Sequence, residues 1–240
     1  MSDPLALHRA TLLRARPETW RGQVIEIALP SEIADEWQAP GQYCMLALGP
    51  EQGDHPAPSP FVIANAPGGP GEGLLFYIQR SGPFTEALSG LRPGDPIWLT
   101  APQGPGFPLA EMRQSQGPVL LATNGSGLAG VRGLMRHLVA AGRRVTLFQS
   151  CRHPGDFPFL ADLLHLKDQG ADVRLALTGG DPHWTGRRGR IQHLIAEATD
   201  LPEDLADGWV ILCGVPAMQH EVAQWAMAQG VPPERICTNH

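Results

Sequence analysis

The sequence predicts two domains in tandem, an N-terminal antiparallel β-barrel over residues 1–113 and a C-terminal α/β domain with a parallel sheet over residues 114–240. Three observations predict this. The first half holds short apolar runs separated by Gly/Pro turns, as barrels and sandwiches do. The second half alternates strand-like and helix-like segments, which makes βαβ units and a doubly wound parallel sheet. The rhythm changes near Gly117, in the polar segment Glu111–Gly117.

In the first half, Gln23–Leu29 carries Val24, Ile27 and Leu29 in imperfect alternation, the pattern of a half-buried strand. Further strands are expected over Tyr43–Leu48, Phe61–Ala64, Leu74–Ile78 and Pro96–Thr100, with turns at Pro40–Gly41 and Arg92–Asp95. A short helix over Thr85–Ser89 follows the turn Ser81–Gly82–Pro83.

In the second half, Pro118–Thr123 is a continuous apolar run, as a strand buried on both faces requires. Strands are also expected over Arg144–Gln149, Asp172–Thr178 and Trp209–Cys213. The helices are placed over Val131–Ala141, Asp156–Leu166, Ile191–Ala198 and Pro216–Gln229.

Composition excludes several functions. The formal net charge is −6, and the 18 Lys and Arg form no dense run, which argues against nucleic acid as a partner. No apolar stretch is long enough to span a membrane. The N-terminal MSDPLALHRA has no apolar segment of the signal-peptide kind. Cys44, Cys151, Cys213 and Cys237 are scattered, so they read as free thiols of a reducing compartment, and a cytoplasmic location is expected. The histidines, His153 and His183 among them, lack ligand-like spacing, so no metal is expected.

Three segments carry candidate chemistry. Asn124-Gly125-Ser126-Gly127 lies between a buried strand and a helix, where glycines admit a pyrophosphate close to the backbone and the helix N-terminus offers N–H groups; a ligand-free tight turn is the alternative. Cys213-Gly214-Val215-Pro216-Ala217-Met218 ends a parallel strand, where open α/β sheets bind ligands; Cys213 as a small buried apolar residue is the alternative. Arg80-Ser81-Gly82-Pro83-Phe84-Thr85 enters a short helix and offers amides and a charge to an anion; a capped surface helix is the alternative.

Together these segments resemble the ferredoxin–NADP reductase superfamily, over nearly the whole chain. Ala39-Pro40-Gly41-Gln42-Tyr43 resembles its Pro-Gly-Gln-aromatic barrel strand. Ser59-Pro60-Phe61-Val62-Ile63 stands in the place of its flavin-binding Arg-x-aromatic-Ser/Thr motif. Ser81-Gly82-Pro83-Phe84-Thr85 resembles its flavin-pyrophosphate segment, and Gly94-Asp95 with Pro102–Phe107 resembles two of its barrel sequences. Gly125-Ser126-Gly127-Leu128-Ala129 resembles its nicotinamide-pyrophosphate loop, and Cys213–Met218 its Cys-Gly-Pro-x-x-Met. The resemblance implies an FAD-binding barrel and a Rossmann-like NAD(P)-binding domain. It implies transfer of a hydride or electrons between NAD(P)H and an acceptor: a ferredoxin-like electron-transfer protein, a partner oxidoreductase subunit or free flavin. Under it, Ser59, Pro60, Phe61, Val62, Ile63, Arg80, Ser81, Gly82 and Thr85 would bind FAD. Asn124, Gly125, Ser126, Gly127, Thr178, Gly214, Pro216 and Met218 would bind the nicotinamide nucleotide, and Cys213 would orient its ring by packing.

The chain departs from the family pattern at four places. Ser59 replaces the arginine that pairs with the flavin phosphate, and Val62 replaces a hydroxyl residue. Arg80 is a substitute source of charge. Thr178-Gly179-Gly180-Asp181 replaces the Ser-Arg pair of NADP-selective members, and Asp181 would repel a 2′-phosphate, which favours NADH. Arg187, Arg188 and Arg190 are the opposing signal, read here as a solvated turn. No iron–sulfur cluster is expected, since it needs four clustered cysteines and these are scattered, and His240 would lie either near the flavin or in a frayed terminus. The rival reading is a non-catalytic or flavin-deficient subunit of a larger redox complex.

Overall fold

The computed structural model describes residues 5–50, 56–68 and 73–238. The chain forms two compact units, Met1–Gly106 and Phe107–His240. The 113/114 boundary read from the sequence lies seven residues later, inside the last turn of a short helix that belongs to the second unit.

The first unit is a six-stranded antiparallel sheet in the order β4-β3-β6-β1-β2-β5. Its strands are β1 (His8–Thr19), β2 (Gly22–Ala28), β3 (Tyr43–Ala47), β4 (Ser59–Val62), β5 (Gly73–Gln79) and β6 (Pro96–Leu99). Helix α1 (Pro83–Ser89) lies between the last two. The two ends of the sheet are joined: Ala64 N–H donates to the Leu75 carbonyl at 2.7 Å, and the Asn65 side chain bonds Gly73 and Leu75 at 2.9 Å. This closes the barrel over a core that includes Leu12, Ile25, Ile27, Leu46, Phe76 and Leu99.

β1 was not anticipated. Its Ala10 and Leu12 face the core, while Arg9, Thr11, Arg14 and Arg16 point to solvent. The register shifts between Leu12 and Arg14 and again between Pro17 and Thr19, and these irregularities break the strict alternation and accommodate Pro17.

Two sequence motifs act as barrel joints. The buried Gln42 amide accepts from the N–H groups of Gln38 and Ala39 and donates to the carbonyls of Glu36 and Gly104. Gly106, at a φ of +65°, passes so close to Ala39 that a Cβ there would sit 2.5 Å from that side chain.

The second unit is a parallel sheet in the order β10-β9-β8-β7-β11-β12. Its strands are β7 (Val119–Asn124), β8 (Val145–Cys151), β9 (Asp172–Leu177), β10 (Arg187–Arg188), β11 (Trp209–Cys213) and β12 (Ile236–Thr238). The helices are α2 (Leu109–Gln114), α3 (Leu128–Ala140), α4 (Leu160–Asp168), α5 (Ile191–Ala196) and α6 (Pro216–Ala228). β7, β8 and β11 are almost wholly buried, as central strands of a parallel sheet are.

α4 begins four residues later than the periodicity predicts. Pro154–Asp156 forms a separate 3-10 turn, and Pro158 bars a helix until Phe159, which sits at a φ of +53°. The two edge strands β10 and β12 also escaped the sequence, being two and three residues long.

Candidate functional site

In the parallel sheet, β7 has β8 on one side and β11 on the other. Chain order therefore reverses between β7 and β11, and the crevice at their C-terminal ends is where such sheets take ligands. The two loops predicted to bind a nucleotide leave from this point.

The first loop, Gly125–Gly127, is a 3-10 turn leading into the 13-residue α3. Gly125 sits at a φ of +52°, with open space where a Cβ would project. Gly127 has helical backbone angles and needs to be glycine for another reason: a Cβ would lie 2.2 Å from the Cys213 carbonyl oxygen. The absence of that carbon lets the start of α3 press onto the end of β11.

The second loop begins at Gly214, at a φ of +151° and with no room for a Cβ beside the Asn124 side chain. The loops are tied together, since Val215 N–H donates to Asn124 Oδ1 at 3.1 Å. Asn124 thus serves as the clasp between the loops. Gln219 donates to the Gly214 carbonyl at 2.7 Å. Pro216 is exposed at the first turn of α6, and Met218 is buried beneath Gly214.

Cys213 is 3% exposed at the end of β11. Burial pushes its thiol up to about 12, against a hydrogen bond to the Gly130 backbone that acts the other way. The group is a neutral thiol at physiological pH, suited to packing and not to attack. Burial likewise raises Cys44 and Cys151 to about 12, and it raises the half-buried Cys237. In a timed thiol titration of the native protein at pH 8, Cys237 is expected to react first and the other three only on unfolding. Rapid modification of Cys213 would contradict this placement.

Thr178 directly follows β9 and is exposed, with its hydroxyl donating to the Cys151 carbonyl at 3.3 Å. Asp181 accepts from His183 N–H at 2.8 Å. Arg188 donates to the backbone carbonyls of Asp181 and Trp184, so it braces this loop. Arg187 and Arg190 are exposed.

Sequence reasoning passed over two residues of this region, Gln149 and Gln219. Gln149 is fully buried in β8, accepts from the Thr123 hydroxyl and donates to the Gly125 carbonyl at 3.0 Å. The available signal was the one amide inside a strand buried along its whole length, since such a group is buried only with its partners.

On the barrel, β4 pairs with β3 so that Phe61 stands opposite Cys44 and Val62 opposite Tyr43. The half-exposed Phe61 ring stacks on Phe84 with centroids 5.9 Å apart. Ser59 is half-buried, Pro60 is exposed, and Ile63 belongs to the core. Thr85 Oγ1 accepts from the N–H groups of both Ser81 and Gly82 and donates to the Gly82 carbonyl, which organises the turn into α1. Gly82 has open space on its Cβ side. Arg80 is exposed and donates to the Trp20 carbonyl at 3.0 Å.

The nucleotide loops fit a dinucleotide, because glycine is required at Gly127 by the Cys213 backbone and at Gly214 by its positive φ and the Asn124 side chain, and Gly125 leaves an open cradle. The barrel fits a flavin with two contacts missing: an aromatic wall and an open turn are present, but Ser59 supplies no charge and Val62 no hydroxyl. Among the described residues, no group of three or more His, Cys, Asp or Glu is placed to hold a metal ion. No helix among them is long and apolar enough to cross a membrane. His240 lies outside the described residues.

Residues 120–224 match the family described as the oxidoreductase NAD-binding domain. The chain is 31% identical to the sulfhydrogenase 1 subunit gamma of Pyrococcus furiosus, covering 98% of this chain and 79% of that one. It is 30% identical to a probable dihydroorotate dehydrogenase B (NAD(+)) electron transfer subunit of Methanopyrus kandleri, over 88% and 71% of the two chains. In fold it is similar to a ferredoxin NADP+ reductase from Neisseria gonorrhoeae, with a TM-score of 0.76 at 18% identity over 97% of both chains. A closed antiparallel barrel, a parallel sheet with its glycine loops at the switch point, and these relatives converge: the chain belongs to the ferredoxin–NADP reductase superfamily of FAD- and NAD(P)-binding oxidoreductases.

Proposed function

We propose that this chain is the NADH-oxidising component of a redox system and passes electrons through FAD to a partner oxidoreductase subunit or electron-transfer protein. The observation that carries this is the paired loop at the β7/β11 switch point, closed by the Asn124–Val215 hydrogen bond. The partner is inferred from the relatives named as a hydrogenase subunit and an electron transfer subunit. The cytoplasm is the assigned compartment, on the strength of four free cysteines, three of them buried.

The division of labour follows the two domains, residues 1–113 for FAD and 114–240 for the nucleotide. The bound cofactors supply the chemistry, a two-electron donor on one side and a flavin able to pass electrons singly on the other. The protein supplies placement. Gly125, Ser126 and Gly127 offer backbone N–H groups to the pyrophosphate at the start of α3. Thr178 lies along the nucleotide, while Gly214, Pro216 and Met218 form the floor beside the nicotinamide. The neutral Cys213 packs there without competing as a nucleophile. On the barrel, Ser59, Pro60, Phe61, Val62 and Ile63 line the flavin, and Ser81, Gly82 and Thr85 shape the turn at its phosphates, with Arg80 as the cation.

Asp181 sets the choice of nucleotide. Its carboxylate is held in the loop after β9 by His183 N–H, and a 2′-phosphate brought there meets like charge. The chain is expected to use NADH at least about tenfold better than NADPH in kcat/KM, the size of a single adverse charge contact. Asp181→Asn is expected to narrow that ratio by raising activity with NADPH. A parent enzyme that prefers NADPH would overturn the assignment.

Ser59 and Val62 keep a second reading in play, that of a flavin-deficient subunit retaining the reductase fold. Under it the purified chain would take up no FAD and oxidise no NADH, even with its partner present.

A further inference from the structure

We propose that Gln149 is a positioning residue for the nucleotide loop: by holding the Gly125 carbonyl inward, it aims the Ser126 N–H outward at the phosphate of the bound nucleotide. The inference rests on the nucleotide-site reading above and adds to it a residue outside the loop.

In a trans peptide the C=O and the following N–H point in opposite directions, and the chain has no cis peptide among its described residues. Gln149 Nε2 donates to the Gly125 carbonyl at 3.0 Å. The N–H of the same peptide, on Ser126, must therefore face away from Gln149. Gln149 is fully buried and Ser126 is exposed, so that direction is outward.

The peptide needs such a hold. Gly125 sits at a φ of +52° with nothing within 4 Å of its Cβ position, so sterics do little to fix it. Rotation of this plane would turn the carbonyl outward and place an acceptor where an anion is to bind.

The orientation of the Gln149 amide is itself fixed. Its Oε1 accepts from the Thr123 hydroxyl, and its Nε2 also lies 3.3 Å from Cys151 Sγ. Reversing the amide would set two carbonyl oxygens against each other at Gly125. Thr123 is fully buried as well, so the pair forms a bridge between the ends of β7 and β8.

The neighbouring loop supplies the contrast. There the Gly214–Val215 peptide is satisfied on both sides, with its carbonyl on Gln219 and its N–H on Asn124. Two glutamines thus hold two glycine carbonyls inward, but only at the first loop does this turn the opposing N–H toward solvent. That difference assigns the phosphate to Ser126 rather than to Val215.

The test uses the full-length chain and ADP-ribose, a nucleoside diphosphate without the redox ring, so binding is read apart from turnover. Calorimetry gives the dissociation constant for the parent, Gln149→Leu and Gln149→Glu; amide NMR follows Ser126. In the parent, the Ser126 amide proton is expected to shift on ligand addition. Gln149→Leu, which frees the peptide, is expected to weaken binding about tenfold, the scale of one lost oriented hydrogen bond to a charged group. Gln149→Glu sets an acceptor against the Gly125 carbonyl and is expected to weaken binding further and abolish the Ser126 shift. Should these variants fail to fold, the parent spectrum decides alone, because ADP-ribose bound with the Ser126 amide unmoved overturns the proposal. Folded variants that bind as the parent does also overturn it. A parent that binds no ADP-ribose sinks the nucleotide-site reading itself, a distinct outcome.

Discussion

Gly127→Ala is expected to cost the protein most of its nucleotide binding and a measurable part of its stability. The added Cβ would lie 2.2 Å from the Cys213 carbonyl oxygen, 2.7 Å from its carbon and 3.1 Å from Gly214 Cα. All three are backbone atoms, so no side-chain rotation relieves the clash; α3 or the end of β11 must move. Overpacking of this kind costs about 1–3 kcal/mol, and each kcal/mol lowers Tm by roughly 2–4 °C in a chain of this size. The same displacement separates the two loops that Asn124 holds together, so NADH affinity is expected to fall by about tenfold or more, as misplacement of a positioning element commonly costs. The substitution tests sterics alone, because Gly127 already has a φ of −56° and a ψ of −24°, which alanine adopts freely. Gly180→Ala is the control for stability, since its Cβ meets nothing within 4 Å. Equal Tm values for the two variants would refute the close packing of α3 on β11.

Ser59→Arg is expected to have the opposite sign, tightening FAD. Position 59 stands on β4 beside Leu46, two residues from the Phe61 ring on the same side of the strand. A charge-assisted hydrogen bond contributes about 1.5–3 kcal/mol, so the dissociation constant for FAD should fall by roughly 10- to 100-fold. Under the proposed function Arg80 would carry this charge in the parent, at the expense of its bond to the Trp20 carbonyl. Arg80→Ala should therefore weaken FAD in the parent and matter less beside Arg at position 59, a non-additivity that a double-mutant cycle measures. Unchanged FAD affinity in Ser59→Arg would show that the flavin phosphates lie away from β4.

The sequence makes legible those parts of the fold whose local chemistry agrees with their final environment. β7 and β11 are buried on both faces, and their apolar runs announce them. The Gly125 and Gly214 loops are visible because glycine there answers to backbone geometry. β1 is hidden because its outward arginines and Pro17 obscure a core stripe of only Ala10, Leu12 and Ala15. The start of α4 is hidden because apolar spacing runs on through Pro158, and only the proline marks the break. At the site, the loop residues can be read and their supports cannot. Gln149 and Gln219 act through hydrogen bonds to glycine carbonyls distant in the sequence or across a turn, and nothing in their own spacing indicates those partners. Asn124 shows the same limit, since its place in the loop is legible but its role as the clasp to Val215 emerges only when β7 and β11 are side by side.

The central claim, electron transfer from NADH through FAD, is tested most directly by the visible spectrum of the freshly purified chain, recorded anaerobically before and after FAD and then NADH are added. Stoichiometric flavin bands that bleach on addition of NADH are the expected result. An absence of protein-bound flavin in excess FAD, together with no consumption of NADH, would contradict it and leave the flavin-deficient subunit in its place.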